Sequence, residues 1–130
     1  MHTSTEYWVG LARRDICSAH LLLGAGDTGN CLMLCQQALE KALKAHLQEM
    51  RGEPPPRSHN LIRLAALAEM AAVIPEAHLE TLADLSPFAV EGRYPQPPLA
   101  AEAAGPDLGL AADLLQRGEE ALEWLLARLR

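Results

Sequence analysis

Aromatic side chains are scarce in this chain: one Phe, two Tyr and two Trp make up 4% of its 130 residues. The core must therefore be filled by aliphatics. Leu and Ala, both strong helix formers, supply most of the apolar 49%, and this favours an all-α fold before any local detail is read. Long hydrophobic runs are missing as well. No apolar segment reaches the roughly 18 residues of a membrane span, and the polar start MHTSTE lacks the basic flank and apolar stretch of a secretory signal. Positive charge is short: 11 Lys and Arg stand against 17 Asp and Glu, for a net charge of −6. No DNA partner is expected on that balance, and any RNA contact has to be local. Cysteine is limited to Cys17, Cys31 and Cys35, an odd set without zinc-ribbon spacing, which reads as reduced thiols of a cytoplasmic protein. Cys31 and Cys35 lie one helical turn apart, but small core residues are the favoured reading of that pair. The expectation is a soluble cytoplasmic protein of one domain over residues 1–130, with no membrane segment and no cofactor.

The helices can be read from apolar spacing. Thr3 and Glu6 have capping-box spacing, and Val9, Ala12, Ile16, Ala19 and Leu23 then place a stripe on one side of a helix running from about residue 5 to 24. GAGDTGN stops it and starts the next, whose apolar side runs from Cys31 through Cys35 and Leu39 to Met50. So short a connection predicts an antiparallel hairpin. Gly52 and the run Pro54-Pro55-Pro56 end the second helix. A third helix, opened by Ser58 or Asn60, carries Leu61, Leu64, Leu67 or Ala68, and Ala71. A fourth extends from Pro75 or Glu76 towards Leu85, and a last one from Asp107 to the C-terminus. Residues 86–107 hold five of the nine prolines and form one long loop before that last helix, a length more often functional than incidental. The expected architecture is an up-and-down antiparallel bundle of four to five helices.

Familiar chemical constellations are missing. No Glu is followed three residues later by His, as a di-iron bundle requires. The G-x-G of GAGDTGN follows a helix rather than a strand, so it reads as a helix connection and not a phosphate cradle. No metal site is expected. What periodicity does not explain is the polar set Gln36, Gln37, Glu40, Lys41 and Lys44 inside the otherwise apolar second helix. Lys41 and Lys44 share a face with Gln37, and Glu40 is placed to pair with Lys44. Two readings stay open, a solvated stripe beside a packing seam and a patch facing an anionic ligand or a subunit. His59, flanked by Arg57 and Ser58 between a proline run and a helix start, either fixes the loop through the backbone or contacts phosphate. Arg93-Tyr94-Pro95 in the long loop offers a guanidinium fork beside a ring that can stack on a base. Its alternative is an Arg–Glu pair that holds the loop down.

Four segments, YWVGLARRDICSAHLLL, QQALEKALKAHL, SHNLIRLAAL and LSPFAVEGRYP, in this order and spacing, resemble the HEPN domain family over about residues 7–128. That resemblance implies an all-α bundle that usually dimerises and is often encoded beside a small nucleotidyltransferase-fold partner as a two-component, toxin–antitoxin-like module. Many members are ribonucleases in which two copies of an Arg-x(4–6)-His motif meet across the dimer, the Arg polarising phosphate and the His moving a proton. Here the pattern departs from the family's. Arg93 is followed by Tyr-Pro-Gln-Pro-Pro-Leu-Ala, without His, and the Arg14…His20 spacing falls on the first helix.

Three functions follow. The first is a homodimeric nucleotide- or RNA-binding module using Arg93, Tyr94, His59, Lys41 and Lys44 with a nucleotidyltransferase-fold partner. The second is a metal-independent ribonuclease using Arg93 and a non-standard His, with His59 the candidate. The third is an interaction scaffold without a small ligand. The first is the expected one, and the balance leans against an enzyme.

Overall fold

A computed structural model describes residues 1–89 and 105–129. They form five helices, α1 (Thr3–Gly24), α2 (Thr28–Arg51), α3 (Leu61–Leu67), α4 (Glu76–Leu85) and α5 (Leu108–Ala127), with one 3-10 turn at Ser86–Phe88. No strand occurs among the described residues, as the Leu- and Ala-rich composition predicts. No helix among them is long and apolar enough to cross a membrane.

The central element is α2, which packs against every other helix. Its order of contacts gives the topology. Thr5 meets Glu49 and Asp15 meets Lys41, so α1 and α2 are antiparallel, as the short GAGDTGN connection predicts. Thr28 meets the Pro106 carbonyl and His46 meets that of Leu125, so α5 runs alongside α2 in the same direction. Cys35, Leu39, Leu43 and Leu47 of α2 are fully buried against Leu61 and Leu64 of α3, Leu82 and Leu85 of α4, and Leu115, Leu122 and Leu125 of α5. Each such leucine withdrawn from water contributes about 2 kcal/mol.

Several ends differ from what local spacing predicts. α1 opens at Thr3 with His2 as its cap and no side-chain capping bond. Thr5 is instead buried, donating to Glu49 Oε1 at 2.9 Å, while the His2 N–H donates to the same oxygen. A tertiary anchor from α2 replaces the local capping box. α3 opens at Asn60, whose Oδ1 accepts from the Arg63 N–H, but it stops at Leu67 rather than continuing to Ala71. Glu69 takes φ 59°, and the Met70 N–H returns to the Ala65 carbonyl at 2.9 Å. That left-handed helix end turns Met70 and Ile74 into the core. The stretch from 86 is not loop throughout, since Ser86–Phe88 completes a helical turn after α4. At the other end Gly105, with φ 96°, packs onto Thr28 and Gly29.

One close approach sets the α2–α5 distance. Gly118 is buried in mid-helix, and a Cβ there would overlap the Cys35 sulfur and lie 3.3 Å from Leu85 Cδ1. Burial also pushes the Cys35 thiol up to about 12, so it stays protonated and inert. The expected cost of Gly118→Ala is about 1–3 kcal/mol from overpacking. Urea denaturation checks this, and Cys35→Ala should recover most of the loss in the double variant.

Further along the same seam, His46 Nε2 donates to the Leu125 carbonyl at 2.7 Å. Burial lowers its pKa below the ordinary 6.5, against the opposing pull of the Leu125 carbonyl and with help from Arg128. The folded state thus favours neutral His46. Its contribution is complete above the unfolded value and is lost as pH falls from there through the lowered folded value. Thermal melts from about pH 7 to about pH 5 should fall more steeply for the wild type than for His46→Gln.

Candidate functional site

α2 carries a polar column on its inner side. Gln36, Glu40, Lys44 and Gln48 recur every four residues, one helical turn apart, and all are buried. Glu40 is the hub. Its Oε2 accepts from Lys44 Nζ at 3.0 Å, and its Oε1 accepts from His59 Nδ1 at 2.9 Å. Gln36 Nε2 donates to the His59 carbonyl at 2.9 Å and makes a long 3.5 Å contact with Glu40 Oε1. His59 is therefore held twice, by its backbone and by its ring. The Gln36 side-chain oxygen, Oε1, is buried without a hydrogen-bond partner among the described residues.

The exposures divide the cluster into an inner and an outer part. The side chains of Lys44 and Glu40 are 9% and 8% exposed, whereas that of His59 is 39% exposed. From α1, Trp8 places its ring 5.8 Å from the Lys44 ammonium, a cation–π contact that adds to the Glu40 pairing. His59 then opens onto a groove of about 430 Å³ lined by Arg57, Ser58, His59, Asn60, Ser86 and Ala89. The groove exists because the α2–α3 connection and the turn after α4 come together above the column. It is bordered by a guanidinium, an imidazole, two hydroxyls and an amide, a set suited to an anion with hydrogen-bonding groups.

Of the residues singled out in the sequence, His59 and Lys44 are joined through Glu40. Lys44 is inside the fold and not on a solvated stripe. Lys41 stays out of the column and pairs with Asp15 of α1. Arg93 and Tyr94 lie outside the described residues. Sequence spacing identified the Glu40–Lys44 pair but not its burial, and it did not connect Glu40 to His59, nineteen positions away. Trp8 and Ser86 carried no local signal that set them apart, and Asn60 was marked only as a helix opener. The one cue for the column was the four-residue recurrence of polar groups within an apolar helix. No group of three His, Cys, Asp or Glu among the described residues could hold a metal ion.

The HEPN domain family model matches residues 5–129. The crystal structure of TT1696 from Thermus thermophilus is similar over 98% of this chain and 100% of that one, with 25% identity and a TM-score of 0.78. The crystal structure of ST0689, an archaeal HEPN homologue, is similar over 97% of this chain and 98% of its own, with 22% identity and a TM-score of 0.74. That second likeness is one of fold alone. No curated protein matches the chain.

Breaking a buried ion pair strands the remaining charge, whereas removing both charges does not. Lys44→Met should cost about 3 kcal/mol on that ground. Combining it with Glu40→Gln should cost less than either substitution alone, because the glutamine can still bond the His59 side. Urea denaturation of the two single variants and the double variant checks this, and additive losses would contradict it.

Proposed function

The chain belongs to the HEPN domain family, and from that premise we propose that it is a nucleotide- or RNA-binding module, working as a homodimer with a nucleotidyltransferase-fold partner. The observation that carries the reading is the Arg57–Asn60 groove backed by a buried ion pair. Its volume of about 430 Å³ suits a nucleotide-sized ligand. In a chain of net charge −6, Arg57 supplies local attraction for phosphate on the groove's border, which is what an acidic protein needs for a local nucleic-acid contact.

Arg93 follows Ala89, on the groove's border, by four residues, a tether of at most about 14 Å. In this reading the Arg93 fork and the Tyr94 ring serve the same ligand as His59, while Lys44 acts through Glu40 and Lys41 holds α1 to α2. The homodimer is assigned to the outer line of α1, where Tyr7, Gly10, Arg14, Cys17 and Leu21 are exposed at helical spacing with one charge among them.

Calorimetric titration with AMP and with a short mixed-sequence RNA tests the reading. Arg57→Ala and Arg93→Ala should each weaken binding by about tenfold, the loss of one charge-assisted hydrogen bond, and leave the melting temperature unchanged. Unaltered affinity in both variants would remove the groove from consideration. RNA cleavage in chelator that disappears in His59→Ala would replace this reading with a metal-independent ribonuclease.

A further inference from the structure

The two walls of the groove differ in what their side chains have left to offer. On the α2–α3 connection, Ser58 Oγ accepts from the Asn60 N–H at 3.3 Å, so its own hydrogen is left to donate. Asn60 Oδ1 accepts from the Arg63 N–H at 3.0 Å, which leaves both amide hydrogens of Asn60 unspent. Arg57 is exposed, pairs with no carboxylate among the described residues, and can only donate. Across the groove, Ser86 gives its hydroxyl hydrogen to the Leu82 carbonyl at 2.9 Å and has only lone pairs to present. Three side-chain donor groups therefore stand on one wall.

That wall is fixed from behind. Gln36 holds the His59 carbonyl at 2.9 Å, and Glu40 holds the His59 ring at 2.9 Å, so the backbone between Ser58 and Asn60 is anchored on both sides of the peptide chain's midpoint. Anchored donors lose less freedom when a ligand arrives. The carboxylate behind them has both oxygens engaged, one by Lys44 and one by His59.

Resting on the binding reading above, we infer that Arg57, Ser58 and Asn60 form a seat for a phosphomonoester, the terminal phosphate of a nucleotide or of an oligonucleotide end, in preference to the phosphodiesters inside a strand. A monoester carries about −1.5 to −2 charge at pH 7 and three strong acceptor oxygens, which the guanidinium, the hydroxyl and the amide match with charge-assisted bonds. Internal phosphates are held differently, as a row of single charges each neutralised by its own Lys or Arg. The groove is lined by one guanidinium, enough for one anionic group and too few for a row. Arg63 is exposed as well but does not line the groove, which makes it the control for charge in general.

Calorimetric titration of the full chain with one mixed-sequence RNA oligomer in three forms tests this: hydroxyl at both ends, phosphate at the 5′ end, and phosphate at the 3′ end. The wild type should bind a phosphorylated form about tenfold more tightly than the hydroxyl form, the worth of a hydrogen bond to a charged group. The form that gains identifies the end that is read. Arg57→Ala should erase the gain. Asn60→Asp keeps the helix cap but replaces the amide donor by a second acceptor, and it should erase the gain as well. Arg63→Ala should retain it. Equal affinity for the three forms in the wild type, a gain that survives in Arg57→Ala and Asn60→Asp, or an equal loss in Arg63→Ala would overturn the inference while the binding reading stands. Binding of neither AMP nor any form of the oligomer would overturn the binding reading and the inference together.

Discussion

A single carboxylate shared between an ammonium and an imidazole, inside the central helix, is the constraint on which the rest of the structure depends. Burying Glu40 and Lys44 without each other would cost several kcal/mol per ion, and their attraction repays that only with good geometry and further hydrogen bonds. The chain supplies both, with 3.0 Å between the charges, the His59 ring on the other oxygen and the Trp8 ring against the ammonium. Because His59 stands on the α2–α3 connection and Trp8, which covers Lys44, on α1, satisfying the pair also fixes how three segments meet. The pair is weak evidence for net stability. Its consequence is a fixed position for His59.

The apolar packing places that column. α2 can present Gln36, Glu40, Lys44 and Gln48 inward only because the other helices surround it, and the α2–α5 contact is close because Gly118 admits the Cys35 sulfur. The hydrogen bond from His46 to Leu125 and the contact of Thr28 with Pro106 hold the two ends of that seam. On the outside, Arg13 with Glu123, His20 with Glu119 and Arg117 with Asp84 join neighbouring helices. Being exposed, those pairs contribute modestly. They orient the helices but do not carry the fold.

The helices were legible in the sequence because their apolar stripes are long and their stops are explicit, as at Gly52 before the prolines and Asn60 before α3. Most of what was not legible has a common cause, namely partners far away in sequence. The start of α1 depends on Glu49, more than forty positions from Thr5. The end of α3 depends on Glu69 adopting a conformation that a glutamate rarely takes. Lys44 lies at a spacing equally suited to a solvated stripe, and only the presence of α1 and the α2–α3 connection over that face decides for burial. Likewise His59 stood out by its setting, but its meaning came from Glu40. Arg93 and Tyr94, named from the sequence, fall outside the described residues.

On the proposed reading, the buried Glu40–Lys44 pair inside α2 is coupled to the groove through His59. Amide and side-chain NMR shifts during titration with a short RNA test this most directly. Changes centred on residues 57–60 and 86–89, reaching inward to the Gln36 side-chain amide and the Lys44 ammonium, are the predicted result. Changes confined to the outer faces of α1 and α5, with the Gln36 amide and the His59 ring unmoved, would contradict it.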